Sequence, residues 1–395
     1  MPGIVADRVG AARKYVLLDE YVIKVIKAGK VIDFASGSPD PRLLPIEEIK
    51  EIASRVLDKY GDEALSYPPS VGLKSLRDAI TSLLGELGVS IPNSKVAVTS
   101  GAVRAIELAS AVLLDRDSYA IAEDPTFSPA LYPLYASGRG IEHILLKEYR
   151  ELDVSRIWDA VSGISAKLYY TIPTAHNPTG STFSSKVRSE IAKLACEKDV
   201  VIIEDDVYRT VLGGEVPEPI SAICARNSHT YVYLGSLSKV LAPGLRIAYM
   251  LVPEELFPHI RSIAGTELTL SPLTMLIAYE AIRTGLLLNR IRKLSREYRE
   301  RMKALKDSLN DYMPNNVSWN EGAEGYYVFI KVRGVNMIKL LEDALREGVG
   351  YIPGDAFLHK HSDPETARLC VAKPDSEEIA LGVKKLAKVI KERKY

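Results

Sequence analysis

The sequence predicts an α/β protein: a mostly parallel sheet flanked by helices, with a smaller α+β part. Three observations carry this expectation. Between about residues 96 and 252, short apolar runs of strand length alternate with amphipathic runs of helix length. Those short runs are continuously apolar, as strands covered on both faces are. After Pro272 the alternation gives way to a long helical stretch rich in Leu, Arg and Glu.

The elements follow in order. The first strong amphipathic pattern predicts a helix over 45–60. Residues 96–101 read as a buried strand running into a helix from Ala102 to about Leu114. Further strands are expected at 119–124, 141–146, 168–173, 200–204, 230–235 and 246–252. Beyond Pro272 the pattern gives a helical stretch to about Asn310, a strand over 326–332, a helix near 336–347, a strand around 368–372 and a closing helix over 376–393. The expected division is a large domain over 46–285 and a small domain made of 1–45 and 286–395. Ligands are expected at the carboxyl ends of the parallel strands.

Composition narrows the function classes. The 395 residues carry 51 Lys plus Arg against 51 Asp plus Glu, so the formal charge is zero. A neutral chain lacks the basic excess of a general nucleic-acid or anionic-membrane binder. No apolar run approaches the roughly 18 residues of a membrane span, and residues 1–14 hold no signal-peptide core. Cys196, Cys224 and Cys370 are widely separated. They fit neither a disulfide framework nor a cysteine zinc site, and suit a reducing cytoplasm. The histidines show no metal spacing; His359 and His361 read as a solvated loop pair. Neither Gly-x-Gly-x-x-Gly nor a P-loop is present, which removes the main support for nicotinamide and nucleotide readings.

The predicted strand ends carry something else. Ser236-Leu-Ser-Lys239 closes one strand and Arg246 follows shortly after. A lysine in a dry crevice has an accessible neutral amine and can form a Schiff base. Two serines and an arginine beside it suit a phosphate. Asp205-Asp-Val-Tyr208 ends another strand; a carboxylate buried there needs a cationic partner, and a protonated pyridine nitrogen would be one. Tyr208 can donate to an oxygen on the same ring, and so can the amide of Asn177 in Asn177-Pro-Thr-Gly180. Phe127, just after a strand, can stack on a planar ring. Ser100-Gly-Ala-Val103 opens a helix whose free N–H groups suit a phosphate. A lysine, a phosphate cup, a carboxylate, an amide, a phenol and a stacking ring together meet the needs of pyridoxal 5′-phosphate.

These motifs, in this order, resemble those of the fold-type I pyridoxal-phosphate-dependent aminotransferases, in the class I/II branch that holds 2-aminoadipate, kynurenine and broad-specificity enzymes. The resemblance runs from Phe34-Ala-Ser-Gly-Ser-Pro-Asp-Pro41 through Tyr67-Pro-Pro-Ser-Val-Gly72 to Arg368 and Pro374. It implies Lys239 as the Schiff-base lysine, Asp205 on the pyridine nitrogen, and Tyr208 and Asn177 on the ring oxygen. Phe127 would cover the ring. Ser236, Ser238, Arg246 and the N–H groups of Ala102 and Val103 would hold the phosphate, with Tyr67 arriving from a second subunit of a homodimer. Arg368 would bind the substrate α-carboxylate, with Asn177 and Gly37 beside it. The chain departs from the family pattern at Ala102-Val103, where relatives have Ser-Gln, and at Ala175-His176, where they have Phe-Gln. Residues 15–41 hold no arginine for a distal carboxylate, only Lys24, Lys27 and Lys30. Tyr132, Tyr326, Tyr327 and Arg42 are candidates for the distal pocket.

The implied function is amino transfer from an aromatic amino acid, 2-aminoadipate or a broad range of donors to a 2-oxo acid, with 2-oxoglutarate as the expected acceptor. A lyase on the same scaffold shares every residue above. A ligand-sensing regulatory module is the third reading, set against by the short stretch, about 30 residues, ahead of the match.

Overall fold

Seven strands build the main sheet: β1 (Ser94–Thr99), β2 (Tyr119–Asp124), β3 (Gly140–Leu145), β4 (Ala166–Thr171), β5 (Val201–Asp205), β6 (Tyr231–Ser236) and β7 (Ala248–Pro253). They come from a computed structural model that describes residues 9, 12, 15–164, 166–213, 216–266 and 270–392. The strand order is β1-β7-β6-β5-β4-β2-β3. Ile202, Ile203, Val232, Leu234 and Met250 are fully buried, which explains the unbroken apolar runs: both faces of the central strands are covered. Each such side chain contributes about 1.5–3 kcal/mol by leaving water.

The sheet is not parallel throughout. β7 runs antiparallel to both β1 and β6, while the remaining neighbours are parallel. The segment between β6 and β7 holds only a short 3-10 turn, Pro243–Leu245, and no crossover helix. A parallel return needs a crossover of roughly a dozen residues or more, usually helical. The reversal has a consequence for the site. Ala248 pairs with both Ser236 and Thr99, so β7 begins at the edge where β1 and β6 end. Arg246, just ahead of β7, therefore stands at the carboxyl edge of the sheet.

The helix expected over 45–60 runs on to Leu65, with non-helical backbone at Tyr60. The stretch expected from 272 to 310 is two helices, Pro272–Arg283 and Leu286–Tyr312, separated by Gly285 at φ 75°. Positive φ is cheap for glycine, so the break falls there. The long second helix joins two apolar clusters: Ile291 and Leu294 pack with the main sheet, Met302, Leu305 and Leu309 with the second.

The second sheet contains β8 (Val317–Trp319), β9 (Tyr327–Val332), β10 (Ile352–Pro353) and β11 (Thr366–Cys370), in the antiparallel order β10-β11-β9-β8. Helices Met337–Arg346 and Ser376–Glu392 cover it. Near the N-terminus Ile32–Asp33 pairs in parallel with Val349–Gly350, and Phe34 enters the same core. No helix among the described residues is long and apolar enough to cross a membrane.

One buried ion pair ties two strand ends together. Arg188 and Glu204 are both fully buried, with 3.4 Å between Nη1 and Oε1. Arg188 Nη2 also donates to the Pro173 carbonyl at 2.7 Å, and Glu204 accepts from the backbone N–H groups of Ile220 and Ser221. Removing one partner of such a pair costs about 3–5 kcal/mol because a buried charge is left alone. The pair fixes the turn after β4 against the end of β5, where Asn177 and Asp205 lie.

Candidate active site

The carboxyl edge of the main sheet gathers the chemistry. Lys239 follows β6, and its Nζ donates to the Gly37 carbonyl at 2.9 Å. The nitrogen also lies 5.7 Å from the centre of the Tyr208 ring and 5.8 Å from that of Tyr326. Burial is the largest influence on this amine and lowers its pKa to about 8. At pH 7 about a tenth of it is then neutral.

Asp205 ends β5. Its Oδ2 accepts from the Tyr170 hydroxyl at 2.8 Å, and its Oδ1 is buried without a hydrogen-bond partner. Burial pushes the carboxyl up to about 6. A buried carboxylate oxygen with unused acceptor capacity fits a cationic N–H donor brought by a ligand.

Next to them is a cup for an anion. Helix Ala102–Leu113 starts after Gly101, and no side chain caps it, so the N–H groups of Ala102 and Val103 lack a side-chain acceptor. Gly101 sits at φ 115°, and a Cβ built there would collide with the Arg246 guanidinium. Arg246 Nη2 donates to the Ser100 carbonyl at 3.2 Å. Ser236 Oγ accepts from the Ser238 N–H at 3.1 Å. Helix N-terminus and guanidinium converge here, a combination that favours phosphate.

Opposite lies a second cationic anchor. Arg368, on β11, is buried; its Nη1 donates to Asn177 Oδ1 at 3.0 Å and its Nη2 to the Ala35 carbonyl at 2.5 Å. The guanidinium is 4.5 Å from the centre of the Tyr327 ring and 4.7 Å from that of Phe357, and its Nε has no partner. Tyr208 and Tyr327 place their hydroxyls 3.0 Å apart.

The other predicted positions divide. Phe127 is half-buried between the main core and the cluster of Phe329 and Phe357. Gly37 faces Tyr327, whose hydroxyl occupies the space a Cβ would need. Tyr67 is not gathered in: it is 85% exposed on the loop after helix Ile46–Leu65. Arg42 is not a pocket residue. It pairs with Asp40, Asp375 and Glu378, three carboxylates that satisfy it outside the site. Tyr326 and Tyr327 lie beneath Lys239 and against Arg368 rather than in a distal wall. Tyr132 packs 6.3 Å from the Tyr15 ring. His359 is not a solvated loop residue: it stacks 5.4 Å from His143 and reaches the Ser128 hydroxyl, because the loop folds onto β2. There the buried Asp124 accepts from the N–H groups of His359 and Lys360. His176 is buried in its turn against Thr179, and burial lowers its pKa to about 3. Lys24 pairs with Glu342.

Residues 29–386 match the family model described as aminotransferase class I and II. The chain belongs to this family. The enzyme is 32% identical over 389 residues to the aromatic-amino-acid aminotransferase 1 of Thermococcus litoralis, covering 94% of this chain and 90% of the other. It is 30% identical over 386 residues to the 2-aminoadipate transaminase of Thermus thermophilus, covering 97% and 96%. It superposes on the kynurenine aminotransferase of Pyrococcus horikoshii, crystallised with PMP, at a TM-score of 0.87 with 29% identity over 95% and 94% of the two chains. The enzyme is a pyridoxal-phosphate-dependent transaminase acting on amino and 2-oxo acids. Its own residues fit the cofactor: Asp205 Oδ1 lacks a donor, and the Gly101 cradle beside Arg246 has no room for a side chain.

Sequence reasoning missed Tyr170, Phe357 and Ala35. Tyr170 lies on β4 beside β5, one strand from the carboxylate it serves, and only the register of neighbouring strands brings the two together. Ala35 acts through its carbonyl, which leaves no trace in the side-chain pattern.

Proposed function

We propose that the aminotransferase moves the α-amino group of aromatic amino acids or 2-aminoadipate to a 2-oxo acid, with 2-oxoglutarate as acceptor, using Lys239, Asp205, Tyr208 and Arg368. The observation that carries this reading is the loop 35–37. Arg368 donates to its Ala35 carbonyl and Lys239 to its Gly37 carbonyl, two residues apart. That spacing sets a carboxylate anchor beside an amine able to take and return a proton, which is what an amino acid reacting at Cα needs.

Pyridoxal phosphate, when bound, supplies the carbonyl that takes up the amino group and the ring that accepts electrons from Cα. Asp205 holds its cationic nitrogen and keeps it protonated. Tyr208 and Asn177 act on the ring oxygen, and Phe127 covers the ring. Ser236, Ser238, Arg246 and the N–H groups of Ala102 and Val103 bind the phosphate. Lys239 would hold the cofactor's carbonyl carbon, and its amine would carry the proton at Cα. Arg368 grips the α-carboxylate of donor and acceptor alike, so one site serves both halves of a ping-pong cycle.

The enzyme works as a homodimer in which Tyr67 completes the phosphate site of the neighbour. Supporting this, Tyr67 is left exposed on the loop after helix Ile46–Leu65, where its hydroxyl is free to reach a neighbouring subunit. The proposed setting is the cytoplasm, in amino-acid biosynthesis, and the proposed domains are 46–285 and the remainder. The deciding experiment is borohydride reduction of the loaded enzyme followed by peptide mapping. The pyridoxyl group is expected on Lys239; finding it on another lysine overturns the assignment. An absorbance screen of half-reactions, one amino acid at a time, then identifies the donors.

A further inference from the structure

Tyr327 opens β9 and is buried. Its surroundings are unusual for a core tyrosine. The hydroxyl lies 3.0 Å from that of Tyr208, and the two rings meet edge to face at 5.5 Å. The same hydroxyl fills the space at Gly37, whose carbonyl accepts from Lys239. The ring carries the Arg368 guanidinium at 4.5 Å. One side chain thus touches the phenol, the loop that receives the lysine and the carboxylate anchor.

We propose that Tyr327 is a positioning residue for amino transfer: its hydroxyl directs the Tyr208 proton toward the cofactor's ring oxygen, and its ring holds Arg368 in place. This rests on the roles assigned above to Tyr208 and Arg368. A phenol has a single O–H to donate and lone pairs to accept with. Tyr208 can give its proton either to Tyr327 or to the ring oxygen. When Tyr327 donates to Tyr208, the Tyr208 proton is released for the ring oxygen, and polarisation along the chain strengthens that second bond. Burial keeps both phenols protonated, with Tyr327 raised to about 12 and Tyr208 also raised. The ring contact acts separately: a cation held over an aromatic face in a dry site is attracted to it.

The test is a pH titration of the visible absorbance of the loaded enzyme, for wild type, Y208F, Y327F and the double variant. Phenylalanine keeps both rings in place, so the fold is preserved. A donor on the ring oxygen draws charge from it and makes the conjugated nitrogen easier to deprotonate. Weakening the donor therefore moves the midpoint up. Y208F is expected to raise it by about 1–2 pH units, and Y327F by roughly 0.5 unit. The double variant is expected to match Y208F alone, because Tyr327 acts through Tyr208. The KM for amino donors should stay unchanged in Y327F and rise for every donor alike in Y327L, which loses the ring beneath Arg368. A shift in Y208F with none in Y327F overturns the proposal, as does a double variant in which the two shifts add. No shift in Y208F itself overturns the role of Tyr208 first, and this proposal with it.

Discussion

Asn177 Oδ1 accepts a hydrogen bond of 3.0 Å from Arg368 Nη1, joining the turn after β4 to a strand of the second sheet across 191 residues of sequence. The amide thus fixes one arm of the guanidinium, the Ala35 carbonyl fixes the other, and Tyr327 and Phe357 fix its plane. An anchor oriented before substrate arrives loses little freedom on binding, which is how positioned groups lower barriers.

Arg368→Lys keeps the charge but removes this fork. The kcat/KM is expected to fall for every donor alike, by at least about tenfold if one charge-assisted hydrogen bond of ~1.5 kcal/mol is lost. Steady-state kinetics across aromatic, acidic and aliphatic donors checks this. A loss confined to acidic donors would place Arg368 on the distal carboxylate instead.

Asp205 gives a pH signature in the cofactor-free protein. Burial holds its folded pKa at about 6, above the 3.8 of an ordinary aspartate. Between those values the folded state binds more protons than the unfolded one, so stability falls as pH rises through that window. By pH 7 the loss is on the order of 3 kcal/mol. Asp205→Asn without cofactor should therefore be more stable than wild type at pH 7, with the gap closing as pH falls toward 4. With pyridoxal phosphate added the order should reverse, since ligand binding stabilises the form that holds it better. Calorimetric melting of both proteins, with and without cofactor across pH, decides it.

Gly101 has φ 115° and ψ 160°, a region that residues with a Cβ avoid. Gly101→Ala is expected to displace Arg246 and weaken pyridoxal phosphate binding by tenfold or more, on the scale of one charge-assisted contact (about 1.5 kcal/mol). Equilibrium dialysis measures the affinity, and far-UV circular dichroism should remain that of wild type. Unchanged affinity would remove Arg246 from the phosphate cup.

Tyr67 is expected to act in trans. Lys239→Ala and Tyr67→Ala chains are refolded together after each homodimer has been found impaired. Trans action leaves every heterodimer with one doubly defective site and one intact site, so activity rises well above either parent. Cis action leaves one defect in each site and restores nothing. Absence of recovery, with heterodimers present, sinks the shared-site reading.

The motifs at strand ends were legible in the sequence because short runs such as Ser236-Leu-Ser-Lys239 and Asp205-Asp-Val-Tyr208 carry their chemistry locally. The apolar strands were legible too, since burial on both faces demands side chains that no other setting favours. Boundaries set by a single residue were less so: Gly285 splits one predicted helix into two, and Gly is common enough to pass unread.

What the sequence determined by itself was the list of reacting groups and the α/β alternation that carries them. Tertiary structure alone decided how they meet. The antiparallel return of β7 puts Arg246 beside Gly101; strand pairing sets Tyr170 against Asp205; and the second sheet, meeting the turn after β4, brings Arg368 onto Asn177. It also removed Arg42 from the pocket: Asp40 is a neighbour in sequence, but Asp375 and Glu378 reach Arg42 from a segment 333 to 336 residues away. The physical reason is common to all of these. Hydrogen bonds and ion pairs act over a few ångströms in space, whatever the separation along the chain, so a residue's type shows what it can do while only its neighbours in the fold select which of those things it does.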